Sequence, residues 1–274
     1  MKKNIFVLTS LMLTLGCGCD SFLDETNYSD VTSEGGYYDT EAGLNAVVNA
    51  CYTPLRFWAG KEDAIGLSET GTDIIAAGSG CVDNNMAAYT QSLDGTNSAC
   101  TFYFDRFYAA INWCNTAIFH AQTVPNPSND EILATTLNKR EAEARVLRTF
   151  YYWILTETFG DTYYTDQPST SIVMNPVKTS TDNIYQYMFD DLDWAIKSKL
   201  STLQNDGGRV TIWTAKALKA RLLLTRASEK NDVDMYGQAY DLAKDVIENG
   251  PFELAEDFAS IWDMKNSDGT LIKK

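Results

Sequence analysis

A single histidine, His120, occurs in 274 residues, and that scarcity closes most routes to catalysis. A Ser-His-Asp or Cys-His arrangement would have to use it. Positive charge is also in short supply: 22 Lys and Arg face 37 Asp and Glu, a formal net charge of −15. A surface of that sign repels phosphate backbones, so nucleic-acid binding is excluded, and it does not seek anionic lipid. Cysteines are few. Beyond the N-terminal region there are only Cys51, Cys81, Cys100 and Cys114, at spacings of 30, 19 and 14 residues, which match no zinc ribbon or finger. Cys81 and Cys100 flank one loop and could bridge in an oxidising compartment. The plainer reading makes Cys51 and Cys114 small buried hydrophobes. No metal ligand set and no cofactor motif is recognisable.

Long apolar runs are missing too. Ile5–Leu15 would rise only about 17 Å as a helix, against a bilayer hydrocarbon core of roughly 30 Å. What is present there has another pattern: Lys2 and Lys3, then the short apolar stretch, then Gly16-Cys17-Gly18-Cys19. A charged start, an apolar middle and small residues before a break mark a signal peptide, here residues 1–18. A cysteine directly after glycine resembles a bacterial lipobox, which makes Cys19 the lipidation candidate and Cys17 the alternative. Several acyl chains on one cysteine hold a soluble body at a membrane.

Residues 19–38 are polar and read as an extended arm. Helical periodicity begins at 39. Thr40 caps a helix whose Leu44, Val47, Val48, Cys51, Tyr52 and Leu55 share a face, with Pro54 kinking its end. Residues 59–100 carry scattered Gly, Asn, Asp, Ser and Thr and no sustained period, so they read as a long loop region, of a kind that is commonly functional or disordered. Phe104, Phe107, Tyr108, Ile111, Cys114 and Ile118 form the next stripe, closed by Pro125 and Pro127. Ser128 and Glu131 make a capping-box pattern that opens a long helix stopping at Gly160. Three more helices follow, on the faces Ile184/Met188/Leu192/Ala195, Ala215/Leu218/Leu222 and Tyr236/Ala239/Tyr240/Ala243/Val246/Ile247. Asn249-Gly250-Pro251 ends the last. Residues 263–274 show no apolar pattern. The expected fold is all-α: helix pairs stacked as in tetratricopeptide scaffolds over 39–262, interrupted by the 59–100 loops.

The acidic pairs have bland explanations. Asp190, Asp191 and Asp193 read as a solvated helix face. Asp232 and Asp234 lie in a turn with no glycine at an EF-hand position. Glu69 and Asp73 could form a glycosidase pair only at the right carboxyl separation, which sequence does not give. Sugar binding asks for less: exposed aromatics for stacking and Asp, Asn or Gln for hydroxyls. The loop supplies Asp73, Asn84, Asn85, Tyr89 and Gln91, with Trp58 at its mouth. Trp113, Trp153, Trp194 and Trp213 fall within helices, where packing is the default.

Several segments together resemble the SusD/RagB family of outer-membrane nutrient-uptake lipoproteins. Cys19-Asp20-Ser21-Phe22-Leu23-Asp24 is similar to that family's opening. YYDTEAGLNAVVNACYTPLR (Tyr37–Arg56) resembles its first helix, and EAEARVLRTFYYWILTETFGD (Glu141–Asp161) its most recognisable stretch. DNIYQYMFDDLDWAI, GRVTIWTAKALKARLLL and YDLAKDVIENGPFEL resemble the next three blocks, in order. The turn after Asp161 departs from the pattern, with Thr162-Tyr163 where the family has a proline.

The resemblance implies a tetratricopeptide-like scaffold whose loops bind glycan (polysaccharide or oligosaccharide) or another nutrient. It implies no catalysis and a place on the outer membrane by lipid anchor. It also implies a TonB-dependent, SusC-like transporter as partner. Thr72-Asp73 matches a Thr-Asp after which the family loop contacts ligand. Family members continue for about as much again, so a truncated or reduced member is expected, its C-terminal residues an irregular stump. The alternative role is a helical-repeat adaptor in the same uptake complex, without ligand binding.

Overall fold

The computed structural model describes residues 36–59, 62–78, 84–126, 128–198, 200, 208–262 and 269. The expected leader, the lipidation candidates Cys17 and Cys19, most of the arm, Cys81 and nearly all of 263–274 lie outside the described residues. Contacts divide the chain into Met1–Tyr37 and Tyr38–Lys274. The second unit carries everything that follows.

Its frame is six longer helices: α1 Glu41–Tyr52, α5 Ser98–Thr123, α6 Glu131–Phe159, α7 Thr181–Lys197, α8 Ile212–Lys230 and α9 Val233–Asn249. Three short ones, α2 Leu55–Ala59, α3 Glu62–Ser68 and α4 Asn84–Ala88, lie between α1 and α5. Each long helix from α5 onward packs on its successor, and α1 packs on both α5 and α6. The core threads through these contacts: Leu44, Val48 and Cys51 from α1, Tyr103, Phe107 and Ile111 from α5, Tyr151 and Leu155 from α6, and Ile184, Met188 and Leu192 from α7. Cys51 and Cys114 are both buried free thiols. Burial pushes the Cys114 thiol well up, and Cys51 beside it pushes the same way.

The helix ends follow local chemistry. Thr40 Oγ1 accepts from Gly43 N, Ser180 Oγ from Asn183 N, and Thr211 closes a reciprocal box with Thr214. Gly160 ends α6 at φ 70°, a conformation glycine takes without penalty. One expected cap moves. Asp130, not Ser128, caps α6, its Oδ1 accepting from Ile132 N and Leu133 N. The aspartate sits directly before the first helical residue, so its carboxylate reaches the first free N–H groups and favours the helix dipole as well. Two two-residue strands, β1 Thr162–Tyr163 and β2 Lys178–Thr179, pair antiparallel and close the connection between α6 and α7.

A second departure concerns α9. The expected single apolar face is split: Ala239 is buried and Met235 and Leu242 pack toward the core, whereas Tyr236, Tyr240 and Ile247 are exposed. α8 covers one flank of α9, leaving a stripe at i, i+4, i+11 spacing uncovered. Periodicity identifies an apolar face without saying how much of it a single neighbour can cover.

Candidate ligand-binding loops between α1 and α5

The 59–100 region is not continuous loop; α3 and α4 stand inside it, and a tight turn joins the features that matter. Past α3, Glu69 N and Thr70 N both donate to Ile65 O, at 2.9 and 3.1 Å. Thr72 Oγ1 donates to Glu69 O at 2.7 Å and accepts from Ile74 N at 3.4 Å. Thr70 and Ile75 form an isolated bridge around this turn. At its centre Gly71 has φ 89°. A Cβ there would sit 3.0 Å from Tyr89 Oη and 3.1 Å from Met86 O, so both backbone angle and close approach require glycine.

Tyr89 closes the same feature from the other side. It ends α4 at φ 50°, in the left-handed region where a bulky residue is uncommon. Its ring is 72% exposed while its hydroxyl donates to Gly71 O at 3.4 Å. A cavity of about 400 Å³ opens beside this pair, lined by Gly71, Thr72, Ile75 and the alanines 76, 77, 87 and 88. Small side chains leave backbone groups within reach of a ligand. Asp73 and Glu69 are exposed, and the Asp73 carboxylate has no hydrogen-bond or ion-pair partner among the described residues. Further along, Asp94 accepts from Thr96 Oγ1 and N at 2.7 and 2.8 Å. Those bonds hold its carboxyl below the usual range. Asn97 caps α5 and ties back to Ser92 O, fixing the far end of the loop.

Of the residues singled out in the sequence, Asp73 and Tyr89 therefore fall around one turn, joined through Gly71. Asn84 and Asn85 lie in the backbone of α4, their side chains outside the description. Gln91 is exposed two residues past Tyr89. Trp58 stands apart: half-buried, its ring meets Tyr103 and Phe107 edge-on at 6.4 and 6.1 Å. Such edge contacts are packing geometry, and they tie α2 to the core.

Sequence reasoning missed two features. Gly71 and the alanines that form the cavity gave no signal because their use depends on small size. The second is a cluster in which Arg106 lies 4.9 Å from the Phe57 ring and 5.2 Å from the Phe102 ring. The i, i+4 spacing of Phe102 and Arg106 could have shown half of it.

His120 serves structure. Its Nδ1 is 2.7 Å from Asp39 Oδ1, and Tyr38 tilts against its ring. Among the described residues no group of three or more His, Cys, Asp or Glu side chains is placed to hold a metal. None of their helices is long and apolar enough to cross a membrane.

Comparison with known proteins identifies the fold and the family of the chain. A SusD-like protein of Bacteroides ovatus is 26% identical over 282 residues, covering 97% of this chain and 48% of the relative. SusD-like protein P2 of Formosa agariphila is 26% identical, covering 98% and 51%. The chain thus spans about half the length of the curated relatives it matches. A SusD homologue from Bacteroides thetaiotaomicron superposes with a TM-score of 0.70 at 22% identity, over 82% of this chain and 44% of that one. A structure solved with xylogluco-oligosaccharide gives 0.64 at 22% identity, over 80% and 43%. These likenesses establish a SusD-superfamily, all-α fold. The family model described as starch-binding and associating with the outer membrane matches residues 72–267, from the Thr72 turn through α9, and the chain belongs to that SusD-like family.

Proposed function

We propose that this chain is a non-catalytic capture component of nutrient uptake, binding glycan or another nutrient at the Gly71–Tyr89 turn. The reading includes a lipid anchor at Cys19 (alternatively Cys17), outer-membrane placement and a TonB-dependent transporter as the receiving partner. The observation that carries it is the exposed Tyr89 ring, held at a costly backbone angle and bonded to Gly71 at the edge of a small-residue cavity, with the exposed Asp73 two residues along the same turn. Strain persists where surrounding structure enforces it, and it concentrates at ligand sites. An exposed aromatic face stacks on a pyranose ring, while a free carboxylate accepts from its hydroxyls. The family membership and its starch-binding description support the same ligand class.

Affinity electrophoresis of the purified chain in gels cast with individual polysaccharides tests this. Retardation is expected with at least one glycan. Tyr89→Ala should weaken it about five- to ten-fold, the loss of one stacked ring, and Asp73→Ala by a smaller factor. No retardation by any glycan, together with co-purification of a barrel partner, would establish the adaptor role instead. Release of reducing sugar would make the protein a hydrolase and overturn the non-catalytic reading.

A further inference from the structure

A second, larger cavity lies elsewhere, between the end of α1, the middle of α6 and the start of α8. Its volume is about 510 Å³, within the range of small-molecule sites. Val146, Leu147 and Phe150 of α6 and Leu218 of α8 form its walls. Tyr52, Trp153 and Thr214 also line it, together with two cations, Arg209 and Arg221, which differ in one respect. Arg209 is committed: it donates to Glu143 Oε2 at 2.7 Å and to Asn49. Arg221 lies with its guanidinium 4.9 Å from the centroid of the Trp153 ring and has no carboxylate partner among the described residues. The Arg221 residue is exposed to solvent at the cavity's edge. Stacking on an indole uses the face of the guanidinium and leaves its N–H fork available in the plane.

We propose that this cavity binds a compact amphipathic carboxylate, its apolar body against Val146, Leu147, Phe150 and Leu218 and its carboxylate on Arg221. A neutral sugar suits these walls poorly, since most of them are aliphatic and aromatic carbon and the hydroxyls of Tyr52 and Thr214 are already bonded to Glu143 and Thr211. A planar, bidentate anion matches the arginine fork. The site shares no residue with the Gly71–Tyr89 turn and stands independently of the glycan reading.

The test uses the anionic dye 1-anilinonaphthalene-8-sulfonate on the full chain, with displacement by octanoate or by 1-octanol. Octanoate is expected to displace the dye saturably and 1-octanol far more weakly. Arg221→Gln should weaken octanoate roughly ten-fold, the usual scale for losing one charge-assisted contact. Ala217→Trp, which puts an indole at the cavity lining from an exposed helix position, should abolish displacement while far-ultraviolet circular dichroism stays unchanged. Equal displacement by octanol, or octanoate binding indifferent to Arg221→Gln, would overturn the proposal. So would concentration-dependent dimers that Ala217→Trp abolishes, because the occupant would then be a second copy. Should Ala217→Trp fail to fold, the Arg221→Gln comparison decides alone.

Discussion

Asp191→Asn should cost about 3–5 kcal/mol of stability, the range for stranding a buried charge. Asp191 was expected on a solvated face, yet it is 5% exposed and Arg148 3%. Arg148 donates to it twice, Nε to Oδ2 and Nη2 to Oδ1, both at 2.8 Å. Arg145 Nη1 adds a third bond at 2.6 Å. Burial opposes the charge on Arg148, but the Asp191 field and hydrogen bonds outweigh it and raise the guanidinium's affinity for its proton. Replacing the carboxylate by an amide leaves that cation with Asn115 Oδ1 at 2.8 Å and a long bond to Asp166 O. Arg145 suffers less, since Glu141 still accepts from it at 2.6 Å. Differential scanning calorimetry should show the midpoint falling by about 6–20 °C for a domain of this size. The double variant Arg148→Met with Asp191→Leu should recover much of the loss, because both charges leave together. A single variant no less stable than the double would sink this account.

Glu143→Leu comes next, at about 2–3 kcal/mol. Its carboxylate joins three parts of the fold. Oε2 accepts from Tyr52 Oη at 2.6 Å and from Arg209 Nη1 at 2.7 Å, and Oε1 accepts from Arg140. Tyr52 Oη in turn accepts from Val210 N at 3.0 Å. Burial, reinforced by the neighbouring carboxylate, raises the Tyr52 phenol out of its ordinary range, so it remains a donor throughout neutral pH. The loss is smaller than at Asp191 because both arginines keep some water contact. Urea unfolding should give the lower midpoint with an unchanged slope, and Tyr52→Phe only about 1 kcal/mol. A Tyr52→Phe loss equal to that of Glu143→Leu would show that the arginines contribute nothing.

These two carboxylates also show what a sequence conveys. The helix stripes were legible because burial repeats with the helical period, and Leu44/Val48 or Ile184/Met188/Leu192 fall where that period puts them. Caps at Thr40 and Thr211 were legible because one side chain and one local N–H suffice. Asp191 was not, since its burial depends on Arg148 arriving from another helix, 43 residues earlier. The proposed ligand turn can be read from the sequence only in part. Asp73 and Tyr89 have chemistry that announces itself, whereas Gly71 matters through an angle and a missing atom. Trp58 looked like a loop aromatic because the α2 helix that turns it inward is too short to leave a period.

The uncovered stripe on α9 governs how copies of the molecule treat one another. At neutral pH a formal charge of −15 keeps them apart, and the bare tyrosines and Ile247 remain wetted. Acidification into the carboxylate range removes that mutual repulsion while leaving the greasy ribbon untouched. Colloidal behaviour is therefore expected to follow titration of the whole surface acting on one helix, with association setting in near the sequence pI of about 4.4.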